Sequence, residues 1–169
     1  MSIYFSVGGC SLGKVLVAQS AFGVCAILMG DDETLLMNEL KAICTRETLL
    51  ENHELLKPHL GQVSHFIDSP MDKIAFPLDI QGTLFQLSVW QALRDIPFGE
   101  TLSYRDMARK IHRPDAVRAV ANACASNHLA VVIPCHRVIR TDGTLSGYRW
   151  GIDRKRQLLE NEARCLYDM

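Results

Sequence analysis

The sequence lacks the features of a membrane protein, a secreted protein or a disulfide-rich domain. None of its apolar runs is long enough to cross a bilayer, and its first residues lack the basic and then apolar layout of a signal peptide. The six cysteines contain no CxxC pair and follow no regular spacing, which argues against a disulfide framework or a compact zinc site. We therefore expect a cytoplasmic protein that makes no contact with a membrane. The spacing leaves open a metal held by Cys10, Cys25 and one of His53, His59 and His65.

A large excess of charge of one sign is also absent, because the net charge of the 169 residues is only −1. This charge is unevenly distributed. Residues 1–82 carry five Lys/Arg against ten Asp/Glu, whereas residues 83–169 carry thirteen against nine, and eleven of those thirteen are arginine. Arginine is suited to phosphate and base contacts, so a polyanionic partner would bind the second half. With 48% hydrophobic residues, a chain of this length forms one domain or two small ones.

The first half has the pattern of a small α/β domain. Its first thirty residues alternate apolar and small polar positions between glycine-containing turns, which predicts a three-stranded antiparallel sheet. Helical spacing then predicts two helices, one over residues 32–44 with Asp31 or Asp32 as N-cap and one over residues 55–66. Residues 69–83 have no strong period and contain two prolines, so we expect the interdomain connection there.

The second half has the pattern of a helical domain. Residues 84–96 are typical of a buried amphipathic helix. Ser103, with Asp106 three residues later, resembles a capping box at the start of the next helix. After a short turn, Pro114 is well placed in the first turn of a further helix that runs to about Ala125. Two short helices joined by so tight a turn predict a helix-turn-helix.

A cysteine stands directly before a histidine at the end of an apolar run. Cys135 and His136 follow residues 129–133, which are all apolar and predicted to be buried. A cysteine is a weak nucleophile at neutral pH unless a nearby base takes its proton, and a neighbouring histidine is such a base. Taken alone, the pair favours a core cysteine beside a hydrogen-bonded histidine, since a free cysteine packs as a small hydrophobe. The surrounding sequence favours the nucleophile.

Glu162 is the acidic residue that completes this pair. Together with Leu166 it lies at helical spacing on the apolar stripe of a helix predicted over residues 153–165. A buried carboxylate needs a partner, and His136 would satisfy it. With Cys135 the three residues would form a Cys-His-acid relay, the arrangement that activates a thiol.

The predicted helix that ends near Ala125 has an unusually small outer face. Arg118, Ala119 and Asn122 lie on this face, opposite an apolar stripe. A helix that reads the major groove normally offers several long polar side chains. This one offers a smooth surface and a single arginine, which suits close approach to a nucleic-acid backbone with one side chain inserted between base pairs. An ordinary packing helix with a solvated arginine is equally consistent with the pattern.

Three other features have both a structural and a functional interpretation. Tyr104 falls on a stripe of apolar residues and, taken alone, is typical of a core tyrosine. Asn127 is most simply a helix C-cap residue that tolerates a left-handed backbone. Residues 145–151 form a glycine-bracketed loop, in which Tyr148 and Trp150 either wall a flat pocket or pack into the body of the domain.

Taken together, these motifs resemble the O6-alkylguanine-DNA alkyltransferase family, and within it the bacterial Ada-type members. The motifs that carry the resemblance are Ser103-Tyr104, Arg118-Ala119-Val120, Asn127, Pro134-Cys135-His136-Arg137-Val138 and the loop from Gly143 to Trp150. The match runs from near Ile3 to Glu162. It implies an N-terminal α/β domain over residues 1–76, ribonuclease H-like with a three-stranded antiparallel sheet and helices. It also implies a connection over residues 77–82, followed by a mainly α C-terminal domain over residues 83–169 that contains a helix-turn-helix.

The resemblance implies direct-reversal DNA repair without a cofactor. The Cys135 thiolate would take the alkyl group irreversibly from O6-methylguanine in DNA, and from O4-methylthymine, so that each molecule acts once. His136 would deprotonate Cys135 through a water with Glu162 as its partner, and Asn127 would hold the active-site turn. Tyr104 would donate a proton or a hydrogen bond to guanine N3.

The resemblance also implies a partner and a way of binding it. The partner would be double-stranded DNA containing O6-alkylguanine, bound through the minor groove by a monomer. Arg118 would fill the gap left when the damaged nucleotide is rotated out of the stack. The other residues expected to contact DNA are Ala119, Asn122, Tyr104 and Arg137. The residues expected to line the base pocket are Ser146, Tyr148, Arg149 and Trp150.

Arg149 and Trp150 depart from the pattern of the human-type members, which have serine and glycine there. We therefore expect a narrower pocket that accepts a methyl group and reacts poorly with the free base O6-benzylguanine. The zinc ligands of the human type are not reproduced as a set, so we predict no structural zinc.

Two other functions are alternatives. A thiol hydrolase would use the same relay, but it would need an oxyanion hole and turnover, and Arg118 would have no role. A DNA-binding regulator or damage-flagging module would use the helices without transferring an alkyl group, although the alkyltransferase-like proteins of this kind lack the reactive cysteine that Cys135 supplies. Alkyl transfer to the protein separates repair from both alternatives.

Overall fold

The computed structural model describes residues 1–168 of the chain. Contacts divide the chain into two compact units, the first over Met1–Ile80 and the second beginning at Gln81. The elements of the first unit are β1 (Ser2–Cys10), β2 (Gly13–Gln19), β3 (Val24–Gly30), α1 (Glu33–Ile43), β4 (Thr48–Glu51) and α2 (His53–Asp68). Those of the second are α3 (Leu84–Arg94), β5 (Leu102–Ser103), α4 (Tyr104–Lys110), α5 (Val117–Ala125), a 3₁₀ turn (Cys135–Arg137), β6 (Val138–Ile139) and α6 (Ile152–Tyr167).

The first unit is built on a mixed sheet with the strand order β3-β2-β1-β4. The antiparallel pairs of β1 with β2 and of β2 with β3 agree with the predicted meander. Residues Val15 to Ala18 of β2 are completely buried, so this strand is covered on both faces. Helix α2 packs on β1 and β2, and α1 packs on β3.

The predicted number of strands is wrong, because β4 adds a fourth strand parallel to β1. It is an edge strand of four residues whose side chains are mostly exposed, so it lacks the alternation that marks a half-buried strand. Backbone bonds from Thr48 N to Met1 O (3.0 Å) and from Asn52 N to Phe5 O (2.9 Å) fix its two ends. A relation of this sheet to the ribonuclease H fold stays a prediction.

The helices of the first unit begin at side-chain caps. Asp32, one of the two predicted N-caps of α1, accepts hydrogen bonds from the backbone N–H groups of Thr34 (2.7 Å) and Leu35 (3.2 Å). Asn52 caps α2 in the same way through Leu55 N (3.1 Å). Because this cap lies before His53, α2 starts two residues earlier than predicted and continues to Asp68.

Residues 77–79, where we place the start of the connection, are bonded to the edge of β3. Val24 N donates to Pro77 O (2.9 Å), and Asp79 N donates to Val24 O (2.8 Å). Gly23 precedes this pairing with φ +150°, and a Cβ built on it would lie 2.7 Å from Pro77 O. Only glycine therefore fits this close approach of two backbones. The limits of the domains stay a prediction.

A short parallel pairing of β5 with β6 organises the second unit around its site. It joins Leu102 to Val138 and Ser103 to Ile139, so the start of α4 lies beside the end of the 3₁₀ turn that contains the Cys-His pair. Ser103 Oγ accepts a hydrogen bond from Asp106 N (3.0 Å), which confirms Ser103 as the N-cap of α4. The reciprocal bond of a capping box, from the Asp106 side chain, stays a prediction.

The predicted position of Pro114 in the first turn of α5 is wrong. Pro114 lies in the connection between α4 and α5, in a turn closed by a hydrogen bond from Ala116 N to Arg113 O (2.9 Å). The helix starts only at Val117, and the methyl side chain of its N-cap residue, Ala116, cannot accept a capping hydrogen bond. The two helices are joined by six residues, and their action as a helix-turn-helix stays a prediction.

Helix α6 presents polar groups to the interior. Its buried residues are Lys155, Leu158, Asn161, Glu162 and Cys165. The burial predicted for Glu162 is confirmed, but the predicted stripe is not correct, because Leu166 is 49% exposed. Two charged side chains, rather than leucines alone, define the inner face of this helix.

Candidate active site

Asn127 holds the turn that leads from α5 to the candidate nucleophile. Its completely buried side chain accepts a hydrogen bond from Leu129 N (2.8 Å) and donates to Ile133 O (2.9 Å). Its amide also donates to Cys135 Sγ (3.4 Å). Within this turn Val131 has φ +63°, a conformation that is unfavourable for a β-branched residue. The amide of Asn127 therefore ties together both ends of a strained segment.

Cys135 lies in the 3₁₀ turn with 4% of its surface exposed. Burial raises the pKa of its thiol, while the hydrogen bond from Asn127 and the charge of Lys155 oppose this rise. The thiol is therefore protonated at neutral pH, and it needs a base before it can act as a nucleophile.

His136 and Glu162 form a buried hydrogen-bonded pair. His136 Nε2 donates to Glu162 Oε2 (2.5 Å), and this fixes the tautomer because an ionised carboxylate only accepts. Burial keeps the pKa of His136 below its usual 6.5, although Glu162 opposes the shift. The ring is therefore neutral at pH 7 with its lone pair on Nδ1, and Nδ1 is buried without a hydrogen-bond partner in the protein. A neutral imidazole with an unused lone pair is suited to act as a general base.

Glu162 stays ionised because several donors surround it. Burial alone would raise its pKa, but the hydrogen bond from His136, the charge of Arg137 and the backbone hydrogen bond from Gly99 hold the pKa below its usual value. Arg137 Nε donates to Glu162 Oε1 (2.8 Å), and Gly99 N donates to the same oxygen (2.9 Å). The carboxylate can therefore orient His136 and stabilise an imidazolium.

The DNA contact predicted for Arg137 does not agree with the structure. Its side chain is only 6% exposed, and its Nη1 donates to Ile96 O (2.6 Å) while Nε is bonded to Glu162. These bonds hold the guanidinium in the interior, where it neutralises Glu162 and cannot reach a phosphate. The sequence does not distinguish such a buried arginine from an exposed one.

The thiol faces a cavity of about 510 Å³. Its lining residues are Tyr104, Ala121, Cys124, Ala125, Cys135, Arg140, Ser146, Gly147, Tyr148 and Arg149. Five of the predicted site residues are therefore brought together here: Tyr104, Cys135, Ser146, Tyr148 and Arg149. Arg140 and Cys124 are additional members that the sequence did not single out.

Trp150 does not line this cavity, contrary to the predicted pocket. It is buried with its ring centroid 5.4 Å from that of Tyr148, and the guanidinium of Arg149 lies 5.2 Å from the Trp150 ring. Arg149 itself donates to Asn127 O (2.5 Å) and His128 Nδ1 (2.6 Å). Trp150 thus supports the pocket loop from behind, and Arg149 ties that loop to the turn held by Asn127.

A polar network on one wall of the cavity ends in a buried lysine. The Tyr104 hydroxyl is 2.6 Å from Ser146 Oγ, and burial raises the pKa of the phenol although Ser146 opposes the rise. Lys155 Nζ donates to the same Ser146 Oγ (3.1 Å) and to Val138 O (2.6 Å). Lys155 is not predicted from the sequence, since nothing in its spacing distinguishes it from the solvated cations of α6.

The residues predicted to contact DNA on α5 are exposed. Arg118, Ala119 and Asn122 all lie on the outside of this helix. Ala121 and Ala125, one helical turn further along, line the cavity. The small outer face of α5 therefore continues into the rim of the candidate active site.

The described residues 1–168 contain no group of three or more His, Cys, Asp or Glu side chains that could hold a metal ion. Over the same range, no helix combines the length and apolar character needed to span a bilayer. The absence of a structural zinc and of a cofactor stays a prediction.

Comparison with known proteins identifies the family. The family model described as "6-O-methylguanine DNA methyltransferase, DNA binding domain" matches residues 84–164. The chain is 35% identical to the methylated-DNA–protein-cysteine methyltransferase of Methanosarcina acetivorans over 96% of this chain and 100% of that protein. This chain belongs to the methylated-DNA–protein-cysteine methyltransferase family. The candidate site, from Tyr104 to Glu162, lies within the segment that the family model covers.

The family also includes longer proteins that resemble this chain. This chain is 49% identical to the bifunctional transcriptional activator/DNA repair enzyme Ada of Escherichia coli K12. The match covers 96% of this chain but only 46% of that protein. Among solved structures, Mycobacterium tuberculosis OGT in complex with DNA has a TM-score of 0.82 at 31% identity, covering 96% of this chain and 94% of that one. The α/β fold with its mixed four-stranded sheet therefore matches that of a family member bound to DNA.

Proposed function

We propose that this protein repairs DNA by direct reversal, transferring the methyl group of O6-methylguanine irreversibly to Cys135. The observation that carries the proposal is the position of the thiol. It faces a cavity of about 510 Å³ and precedes a buried His136–Glu162 pair whose unpartnered nitrogen is basic. Membership of the family supplies the reaction type, and the buried pair supplies a means of activating the thiol. O4-methylthymine is the second substrate that we expect.

The reaction uses groups already present in the site. His136 Nδ1 accepts the proton of Cys135 through a water, and Glu162 stabilises the resulting imidazolium. The thiolate forms a bond to the methyl carbon as the bond from that carbon to guanine O6 breaks. The electron pair of the broken bond stays on the base, and a hydrogen bond or proton from Tyr104 to guanine N3 stabilises it. The S-methylcysteine is not regenerated, so each molecule acts once.

DNA binding requires that the damaged base leave the duplex, because a thiol that is only 4% exposed cannot reach a stacked base. We propose that α4 and α5 act as a helix-turn-helix whose α5 lies in the minor groove. The small side chain of Ala119 permits close approach of the backbone, and Asn122 contacts the DNA beside it. Arg118, exposed on the same face, occupies the gap in the stack.

The width of the pocket follows from its loop. Arg149 lines the cavity and is bonded to the turn held by Asn127, so its bulk is fixed at the wall. Human-type members have serine at this position, so we expect the arginine to leave space for a methyl group and to make a benzyl group react poorly. Tyr148 forms the opposing aromatic surface, stacked edge-on against Trp150. The binding unit is a monomer.

The decisive experiment is the intact mass of the protein after incubation with a duplex that carries one O6-methylguanine. We expect one methyl group per protein, located at Cys135 by peptide mapping, and no change in Cys135→Ala. Unchanged mass with tight binding to the lesion would support a damage-flagging module instead. Repeated cleavage of an activated ester would support a thiol hydrolase, and a methyl group on another cysteine would refute the assigned nucleophile.

A further inference from the structure

Lys155 is a charged side chain that the proposed reaction does not use. It is completely buried in α6, and its Nζ donates to two uncharged acceptors, Val138 O (2.6 Å) and Ser146 Oγ (3.1 Å). Burying a cation without a carboxylate is unfavourable, and burial lowers the pKa of this amine. An apolar side chain of similar length would fill the same space at lower cost, so packing does not explain the lysine.

The groups that face Lys155 line the cavity in front of Cys135. Its Nζ lies 5.9 Å from the centroid of the Tyr104 ring. The ionisable groups that act on it electrostatically are Cys135, Cys124 and Arg140, all of which line the same cavity. Among these neighbours, Tyr104 is joined to the lysine by hydrogen bonds, through Ser146.

This network has a direction because lysine can only donate hydrogen bonds. Since Lys155 donates to Ser146 Oγ, the hydroxyl hydrogen of Ser146 is available for the Tyr104 oxygen 2.6 Å away. Either oxygen can be the donor in this bond, and a phenolic oxygen that accepts from Ser146 keeps its own hydrogen for another acceptor. Tyr104 lines the cavity, so that hydrogen can then be donated to a base in the cavity.

We propose that Lys155 is a positioning residue that acts through Ser146 to hold the Tyr104 hydroxyl as a hydrogen-bond donor to the flipped base. This inference rests on the proposed function, because it concerns the hydroxyl that stabilises the leaving guanine. Without Lys155 the Ser146 hydroxyl can rotate, and the Tyr104 hydroxyl then donates its hydrogen bond to Ser146 instead of to the substrate. Lys155 touches neither the base nor the reacting atoms.

A double-mutant cycle tests whether Lys155 acts through Tyr104. The single-turnover rate of methyl transfer is measured for the wild type, Lys155→Met, Tyr104→Phe and the double variant, with protein in excess over lesion-bearing duplex. We expect Lys155→Met to slow transfer about tenfold in the wild-type background. This factor corresponds to the free energy of a hydrogen bond to a charged group. In the Tyr104→Phe background we expect a change of about twofold or less, because the hydroxyl that Lys155 orients is gone.

The control variant is Arg156→Met, which removes the same charge from an exposed position on the same helix and should leave the rate unchanged. Equal slowing by Lys155→Met in both backgrounds would overturn the proposal, since a purely structural role is independent of the phenol. Because the charge of Lys155 also opposes the rise in the pKa of the Cys135 thiol, the pH profile of Cys135 alkylation by iodoacetamide, measured without DNA, should move to higher pH in Lys155→Met. The fold-change in alkylation at the pH of the transfer assay is divided out of the transfer rates of both backgrounds. If no slowing by Lys155→Met remains after this division, the proposal is overturned, because Lys155 then acts on the thiolate alone.

Ser146→Ala keeps the proposal testable if Lys155→Met does not fold. It breaks the network at its middle without burying a new group, and we expect the same dependence on Tyr104. Slowing by Ser146→Ala that persists in Tyr104→Phe would refute the relay. A wild type that transfers no methyl group would instead refute the proposed function, so the two failures are distinguishable.

Discussion

The two units of this protein bury different kinds of side chain. In the first, the buried polar residues among those described are Ser6 and Ser20, and the rest of the core is apolar. In the second, the buried polar and charged residues are Asn127, His136, Arg137, Ser146, Lys155, Asn161 and Glu162. Buried charges are unfavourable unless they are paired and hydrogen-bonded. The second unit therefore buries the side chains that lower the stability of the fold, and these include the residues of the candidate active site.

Breaking the central charge of the second unit should have the largest effect. Glu162→Gln removes the group that stabilises the His136 imidazolium, so we expect methyl transfer to slow about 100-fold. It also leaves the buried Arg137 without its carboxylate, which should lower the free energy of unfolding by about 3 kcal/mol. Single-turnover kinetics and denaturant unfolding measure the two effects. Glu160→Gln, on the exposed face of the same helix, is the matched control.

The pH profile separates the catalytic from the structural role of Glu162. Transfer needs neutral His136, whose pKa lies below 6.5, so the wild-type rate should be level down to that pH and fall below it. Because Glu162 raises the pKa of His136, removing the carboxylate lowers that pKa further. The acid limb should therefore move to lower pH in Glu162→Gln. A limb that stays in place would show that His136 is not the base.

Arg118→Ala should have an intermediate effect that depends on the DNA. If Arg118 fills the gap left by the flipped base, its loss should slow repair of duplex DNA about tenfold. This slowing corresponds to a part of the few kcal/mol that unstacking a base costs. In a single-stranded oligonucleotide there is no gap to fill, and the variant should match the wild type. Equal slowing on both substrates would instead assign Arg118 to general phosphate binding. Arg156→Ala controls for the lost charge.

A substitution in the core of the first unit should affect stability alone. Leu28 in β3 is completely buried, and Leu28→Ala should lower the free energy of unfolding by about 3 kcal/mol through the cavity that it leaves. We expect the transfer rate of the folded protein at 25 °C to be unchanged, because this unit contributes no buried charge. A slower rate in a fully folded variant would contradict the division of roles between the units.

How far the sequence predicts the fold depends on how local the signal is. The alternation in β1 to β3 and the cap at Asp32 act within a few residues, and both are confirmed. The sequence does not indicate β4, because an exposed edge strand is defined by its partner, and the partner strand β1 is far away in the chain, with Ser2 paired to Thr48. The start of α5 was placed too early because Pro114 fits a helix start as well as it fits a turn.

The site shows the same limit. Burial of Glu162 is confirmed, although the stripe from which we predicted it is not correct at Leu166. The pairing with His136 follows from the need of a buried carboxylate for a partner. Arg137 and Lys155 escape such reasoning, because long cationic side chains are normally exposed. Each of them has one side-chain acceptor, Glu162 for Arg137 and Ser146 for Lys155. Each also has one backbone acceptor, Ile96 O for Arg137 and Val138 O for Lys155, and backbone carbonyls leave no trace in the sequence.

The burial of Cys135 also determines how long an unused molecule stays competent. A protein that acts once, as proposed, loses a whole repair event whenever its thiol is oxidised or captured by glutathione before a lesion is met. Peroxide and glutathione react with exposed thiolates, whereas this thiol is enclosed and protonated until a base is available. In the proposed reaction the burial of Cys135 requires the damaged nucleotide to leave the duplex. The same burial would slow oxidation of the thiol, so unused molecules would stay competent until they meet a lesion.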